Sequence, residues 1–290
     1  RSLGGFYTVI SEDGTRTECR GRGIFRKDQT TLLVGDRCTF EPTEPGCGSI
    51  TAIAPRKNTL QRPPVANLDR LALVISLADP APNATVIDQL TAIAARREIP
   101  VVVIFTKPDL ADPAPWVEIY RKAGYPTAVV NNLTGEGAHS VREFLNGRLT
   151  AFIGNSGVGK SSLLNTLFPQ LSLETGVISK KLGRGKHTTR QAQLYRLCEL
   201  DGSMTGYVAD TPGFSTVDTE RYCRIPAGEL DNSFREFAGY AEKCRFADCA
   251  HIKEKDCAVR SAAENGDIAQ SRYASYLRMY DEASKINDWE

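Results

Sequence analysis

No stretch of this chain stays apolar for the ~20 residues that a membrane-spanning helix requires, and neither sign of charge dominates. Thirty-six lysines and arginines (36) face 35 aspartates and glutamates, for a formal net charge of +1. The first absence argues against a helical membrane protein. The second excludes a global basic field, so any nucleic-acid surface must come from local clustering. The opening Arg1-Ser2-Leu3-Gly4-Gly5 lacks the apolar core of a signal peptide, and a cytosolic setting is expected. The repeated-finger and recognition-helix patterns of a transcription regulator are absent as well. Cysteine is not scarce: the chain has 8. Cys19, Cys38, Cys47, Cys198 and Cys223 are scattered, whereas three others cluster with a histidine near the C-terminus. In a reducing compartment that pattern reads as a metal site plus free thiols rather than a disulfide framework. At 290 residues the chain has room for two or three compact units.

What is present centres on Gly154-Asn155-Ser156-Gly157-Val158-Gly159-Lys160-Ser161, between the apolar run Leu149 to Ile153 and a helix-like segment Ser162 to Phe168. The spacing G-x-x-x-x-G-K-S is that of a phosphate-binding loop. Its glycines let backbone N–H groups turn inward around phosphate oxygens, and the following helix adds its positive N-terminal end. Asn155 to Ser161, with Ser162 at the helix start, are the expected phosphate contacts. Lys160 would reach the β- and γ-phosphates, and the Ser161 hydroxyl would ligate magnesium.

Upstream, residues 1 to about 62 hold short strand-like pieces: Phe6 to Ile10, Thr15 to Arg20, Thr31 to Val34, Arg37 to Phe40 and Ser49 to Ile53. Five short strands separated by glycine-bearing turns predict a small barrel of the oligonucleotide-binding (OB) type. Arg20, Arg22, Arg26 and Lys27, interleaved with Tyr7 and Phe25, fit an RNA surface and equally fit charges that merely solvate a barrel. Arg62-Pro63-Pro64 reads as a linker. From Leu68 the grammar becomes strand, helix, strand, predicting a parallel sheet covered by helices: Leu71 to Leu77, Asn83 to Arg97, Val101 to Phe105.

The second of these strands leads into Thr106-Lys107-Pro108-Asp109. A carboxylate at the end of a parallel strand stands where open α/β sheets hold ligands. Its two oxygens can accept from the N1–H and exocyclic amine of guanine, a pairing adenine cannot reciprocate, and Lys107 would lie along the base. T-K-x-D alone is weak and also fits a plain polar strand end. A further helix and strand lead to Asn131-Asn132-Leu133-Thr134-Gly135-Glu136-Gly137, again a loop at a strand end. After the phosphate loop, Leu171 to Gly185 is loop-like, and Gln191 to Leu200 with Gly206 to Ala209 read as a hairpin. The second strand delivers Asp210-Thr211-Pro212-Gly213, where Asp210 can hold magnesium through water and the Gly213 N–H can sense a γ-phosphate.

Taken together, these segments resemble the G-boxes of a Ras-like GTPase in permuted order. With the preceding barrel and the trailing Cys244-x4-Cys249-x-His251-x5-Cys257, the chain resembles the RsgA family (YjeQ, YloQ) over essentially its full length. The fold implied is an N-terminal five-stranded OB barrel (1–62), a central α/β Ras-like GTPase (63–222) and a C-terminal helical zinc-binding domain (223–290). The resemblance implies a GTPase dependent on the small ribosomal subunit and its rRNA, acting late in that subunit's maturation. Hydrolysis would be stimulated by the ribosome and coupled to release of the factor, in a cytoplasmic monomer without a membrane partner. Its cofactors would be Mg²⁺ with GTP or GDP, held by Ser161, Thr188, Thr189 and Asp210, and one structural Zn²⁺. Three thiolates and an imidazole suit zinc and leave no ligand position for a catalytic water.

Two departures from the family pattern stand out. Thr106 replaces the usual Asn of the base box, and Asn131-Asn132 replaces a Ser-Ala pair, which puts the bracing of neighbouring loops in question. Phe214 follows Gly213 where Ras-like enzymes place a water-orienting glutamine, so intrinsic hydrolysis should be slow unless another group serves. His187 is the candidate, against a plain switch or RNA-contact role; Lys160, Thr188, Thr189 and Gly213 complete the catalytic set. Either Thr188 or Thr189 would meet magnesium. Helical spacing from Ala258 to Tyr280, with Lys253, Lys255, Arg260, Arg272 and Arg278, offers a basic face that would meet rRNA or simply be solvated. Two rival functions are an ATP-dependent kinase and an RNA-binding module with a degenerate GTPase centre.

Overall fold

The structure is a computed structural model; it describes residues 2–3, 5–23, 25, 30–61, 63–173, 193–210 and 225–285. The N-terminal sheet comprises β1 (Ser2–Leu3), β2 (Phe6–Ile10), β3 (Arg16–Gly21), β4 (Cys38–Glu44) and β5 (Cys47–Ile53) in the order β1-β2-β3-β5-β4. All pairs are antiparallel except β3 with β5, the Greek-key arrangement of an OB fold. Its core is small: Cys19, Leu32 and Ile50 are buried, with Tyr7, Val9, Phe25 and Phe40 against them. Thr31 to Val34 does not form the strand expected of it. Only Val34 bridges, to Val65, and the fifth strand is β1 instead.

Of the expected linker Arg62-Pro63-Pro64, Arg62 lies outside the described residues, and the segment around Pro63 and Pro64 is a packed element. Strands β6 (Thr59–Leu60) and β7 (Val65–Ala66) form a hairpin whose turn includes Pro63, and Leu60, Val65 and Leu68 join the core of the central unit. The backbone N–H of Ala66 donates to the Val34 carbonyl (2.9 Å), which joins barrel to sheet.

The central sheet has six strands: β8 (Arg70–Ser76), β9 (Val101–Thr106), β10 (Thr127–Val130), β11 (Arg148–Ile153), β12 (Gln193–Arg196) and β13 (Gly206–Asp210). Their order is β10-β9-β8-β11-β13-β12, all parallel except β12. Strands β8 and β9 are apolar almost without interruption because both faces are covered. Alternation sorts their side chains. Leu71, Leu73, Ile75, Val103 and Phe105 meet α1 (Ala84–Arg96) and α2 (Ala114–Lys122) on one face. Ala72, Val74, Val102 and Ile104 meet α3 (Ala138–Leu145) and α4 (Lys160–Leu167) on the other. Helix α1 starts where the Asn83 side chain accepts from the Val86 N–H (3.3 Å), an N-cap. The strand expected over Gln191 to Leu200 is shorter: β12 ends at Arg196, and Leu197–Leu200 is a helical turn, α5, with Leu197 fully buried.

The C-terminal unit begins with short 3-10 turns and α6 (Ala238–Ala241), followed by α7 (Ala258–Glu264) and α8 (Gln270–Ser284). The helical pattern from Ala258 to Tyr280 is thus two helices, parted at Gly266, whose φ of 79° no helix accommodates. Phe234, Phe237 and Tyr276 pack ring against ring at 4.9–5.3 Å in its core. No helix among the described residues is long and apolar enough to cross a membrane.

Candidate nucleotide site and metal centre

The phosphate loop leaves β11 at Gly154, where a Cβ would stand 2.5 Å from the Val74 carbonyl oxygen of the neighbouring strand. Glycine is therefore required for the loop to leave the sheet at this point. Gly157 and Gly159 adopt φ of 84° and 88°, the left-handed region that turns successive N–H groups to one side, and α4 starts at once with Lys160. Across the loop, β13 delivers Asp210 in register with Phe152. Lys160 Nζ lies 3.7 Å from Asp210 Oδ1. Burial lowers the Lys160 pKa below the ordinary lysine value, and the Asp210 carboxylate opposes that loss of charge.

The segments expected to recognise the base come from the ends of β9 and β10 and touch the same loop. Thr106 is fully buried, and its hydroxyl is 2.6 Å from the Val158 carbonyl and 3.3 Å from that of Ile75. Lys107, at φ 60°, donates from Nζ to the Gly157 carbonyl (3.0 Å) and to that of Asp79. A turn closed by the Leu110 N–H on the Lys107 carbonyl (3.1 Å) leaves Asp109 exposed at the rim. Asn131 caps its own loop, its Oδ1 accepting from the N–H groups of Leu133 (2.9 Å) and Thr134 (3.3 Å). Asn132 reaches the other way, donating from Nδ2 to the Gly159 carbonyl (3.2 Å). Asn155, Ser161 and Ser162 are half-buried along the loop, and Ser156 is exposed. Thr106, Lys107, Asp109, Asn131, Asn132, residues 154 to 162 and Asp210 are thus gathered at the carboxyl ends of adjacent parallel strands, where such sheets bind ligands. The sequence-derived roles of His187, Thr188, Thr189, Gly213 and Phe214 fall on residues outside the described ones.

In the C-terminal unit, Cys244, Cys249, His251 and Cys257 place their ligand atoms within 4.8 Å of one another. Cys244 Sγ and Cys257 Sγ are 3.9 Å apart, and His251 Nδ1 is 3.6 Å and 3.4 Å from them. A tetrahedral zinc with ordinary bond lengths needs edges of about 3.8 Å between sulfurs and about 3.6 Å from sulfur to nitrogen. The four residues fit that ion. Burial raises the thiols of Cys249 and Cys257 and lowers the His251 imidazole, which favours its neutral, ligating form. The loop is shaped by Glu254, whose carboxylate accepts from the N–H groups of Ala250, Ile252 and Lys253 at 2.8–3.2 Å, and by the Tyr273 hydroxyl on the His251 carbonyl (2.8 Å).

Of the candidate RNA contacts, Arg20 is exposed with its guanidinium 4.3 Å from the centre of the Phe6 ring, and Arg22 is ion-paired with Glu41. Arg26 and Lys27 lie outside the described residues. Arg272 does not belong to a basic outer face: it is 1% exposed. It donates to Asp88 of α1 (2.7 Å), Thr91 (2.9 Å) and Glu236 (2.6 and 3.1 Å), and Tyr120 of α2 donates to the same Asp88 (3.0 Å). The sequence offers no local signal for a pair 184 residues apart. Arg260 is ion-paired with Glu264, and Arg278 reaches Thr85.

A phosphate loop tied to the two neighbouring strand-end loops, with an aspartate beside its lysine, is the arrangement of a Ras-like P-loop GTPase. Here the base-recognition segments precede the phosphate loop in the chain, a circular permutation. Residues 53–220 match the family model of the RsgA GTPase, and residues 1–50 that of the RsgA N-terminal domain. The chain belongs to the RsgA GTPase family and is a GTP-hydrolysing enzyme. It is 44% identical over 283 residues to the small ribosomal subunit biogenesis GTPase RsgA of Geobacillus thermodenitrificans, covering 96% of this chain and 93% of that one. The Caldanaerobacter subterraneus protein of the same name is 41% identical, covering 98% and 94%. Among solved structures, YjeQ from Thermotoga maritima superposes with a TM-score of 0.80 at 35% identity, covering 98% of this chain and 96% of that one. YloQ, a circularly permuted GTPase, gives 0.79 at 28% identity, covering 100% and 95%.

Proposed function

We propose that this chain binds the small ribosomal subunit and its rRNA in the cytoplasm, as a monomer, and acts late in maturation of that subunit. GTP hydrolysis is stimulated by the ribosome and coupled to release. The observation that carries the GTPase half is the Thr106 hydroxyl on the Val158 carbonyl at 2.6 Å, which joins the base box to the phosphate loop. The ribosomal half rests on relatives named for small-subunit biogenesis.

In this reading Asp109 and Lys107 select guanine, with Asn131 and Asn132 shaping the loop on the base's other side. Asn155 to Ser162 cradle the phosphates. Lys160 neutralises the β- and γ-phosphates, and Ser161 and Asp210 hold magnesium, the latter through water. When bound there, magnesium would supply positive charge to the phosphate oxygens. Thr188 or Thr189 and the Gly213 N–H sense the γ-phosphate, and His187 orients the attacking water that Phe214 cannot. One zinc on Cys244, Cys249, His251 and Cys257 holds the C-terminal fold. Arg20, Arg22, Arg26 and Lys27 supply rRNA contacts from the barrel. The working division is 1–62, 63–222 and 223–290, with the hairpin of β6 and β7 packed into the central core.

The test is GTP hydrolysis with and without purified small subunits. Stimulation by the subunit that Lys160→Ala abolishes, and that excess ATP does not compete away, is expected. Equal use of ATP favours the kinase reading, and absence of turnover in both conditions favours the RNA-binding module.

A further inference from the structure

Two polar side chains from neighbouring strand-end loops, Thr106 after β9 and Asn132 after β10, meet at the same place. Thr106 Oγ1 lies against the Val158 carbonyl (2.6 Å), and Asn132 Nδ2 donates to the next carbonyl, that of Gly159 (3.2 Å). A hydroxyl has a single proton to donate, so the short bond to Val158 takes it and the Ile75 carbonyl at 3.3 Å is secondary. Threonine at 106 is too short to tie the phosphate loop and the 131–137 loop at once. Asn132 supplies the second tie from the opposite side. Its own carbonyl lies 3.3 Å from the Thr166 hydroxyl of α4, a secondary contact because that hydroxyl's proton goes to the Ser162 carbonyl at 2.9 Å, so the tie that joins the 131–137 loop to the phosphate loop is the Asn132 amide. The two side chains close on Gly159, where a Cβ would stand 3.0 Å from Asn132 Nδ2 and 3.6 Å from Thr106 Oγ1; the amide engages through Nδ2 alone, since Asn132 Oδ1 is buried without a partner.

We infer that Thr106 and Asn132 are paired positioning residues that divide between them the bracing of two successive phosphate-loop carbonyls, those of Val158 and Gly159, and so set the phosphate loop's grip on the nucleotide without themselves choosing the base. The inference rests on the guanine-nucleotide reading of the site. Base choice stays with Asp109, whose carboxylate stands exposed at the rim on a separate turn. Loss of either brace therefore weakens every nucleoside diphosphate alike.

The experiment measures equilibrium binding of GDP and IDP, which differ only in the exocyclic amine, to the full-length protein and to Thr106→Val, Asn132→Ala, the pair Thr106→Asn with Asn132→Ala, and Asp109→Asn. Each brace variant should bind GDP about tenfold more weakly, the scale of one buried hydrogen bond, with the GDP/IDP ratio unchanged. Moving the amide back to position 106 should recover most of what Asn132→Ala loses, a rescue that a general packing defect would not give. Circular dichroism checks that each variant is folded, and the isosteric Thr106→Val keeps the test alive if Asn132→Ala is not. GDP affinity within twofold of wild type in both single variants, a changed GDP/IDP ratio, or no rescue overturns the inference. Asp109→Asn separates the two levels: if it leaves the GDP/IDP ratio untouched, the base reading itself fails.

Discussion

Replacing Arg272 by methionine should loosen the C-terminal unit from the GTPase sheet. The guanidinium is held between Asp88 and Glu236, all three side chains no more than 6% exposed, and stacks 4.8 Å from the Phe234 ring centre. Burial opposes its charge, and the two carboxylates overcome that cost and hold its pKa well above the ordinary arginine value. Methionine fills much of the volume but leaves Asp88 and Glu236 buried without a cation. Breaking a buried pair in this way costs about 3–5 kcal/mol, a large part of the roughly 5–15 kcal/mol that holds a domain folded. Chemical denaturation with hydrogen exchange on α8 reads it. The pH dependence carries the cause. Burial raises the Asp88 carboxyl above its unfolded value and Arg272 draws it back down, so removing Arg272 lets it climb further. A carboxyl raised in the folded state favours folding below its unfolded pKa and loses that contribution as pH rises through the folded one. The deficit of Arg272→Met should therefore grow as pH rises through the folded-state pKa of Asp88 and shrink as pH falls below it. Adding Asp88→Leu and Glu236→Leu should recover stability. A deficit under about 1 kcal/mol, the size of an exposed pair, or one that ignores pH, refutes the reasoning. The same lock bears on conformational change: a nucleotide-driven movement of the C-terminal unit must either carry α1 with it or break these bonds.

Cys249→Ala should lower bound zinc from about one equivalent to none and unfold the C-terminal unit; metal analysis with hydrogen exchange on α7 checks it, and a folded, metal-free protein counts against the site. Gly154→Ala, whose Cβ would meet the Val74 carbonyl at 2.5 Å, should cost about 1–3 kcal/mol and weaken GDP binding by fluorescence titration. The ion pair of Arg16 with Glu199 crosses from barrel to sheet but is 53% and 40% exposed. A double-mutant cycle should assign it no more than about 1 kcal/mol of coupling.

How legible the molecule was depended on the range over which each feature is encoded. The phosphate loop, the strand-end Asp109 and the C-terminal ligand spacing are local, and their chemistry could be read because every residue that matters sits within a few positions of its neighbours. The apolar runs of β8 and β9 announced a sheet covered on both faces. Thr31 to Val34 read as a strand because its composition is β-like, yet pairing needs an edge to pair with, and only Val34 finds one. Arg62-Pro63-Pro64 read as a linker because prolines punctuate loops, while the burial of Val65 and Leu68 arises from a sheet that local composition does not reveal.

Order along the chain by itself determined the permuted arrangement of the nucleotide loops, since a motif's position is a property of sequence alone. It also singled out the Cys244, Cys249, His251 and Cys257 set that the structure brings together, because thiolate and imidazole chemistry travels with the residues. Only the tertiary structure decided that Arg272 faces inward, and that Thr106 and Asn132 hold successive carbonyls of the phosphate loop. Both depend on distances between segments far apart in the chain, and burial and hydrogen-bond geometry exist only once those segments have met.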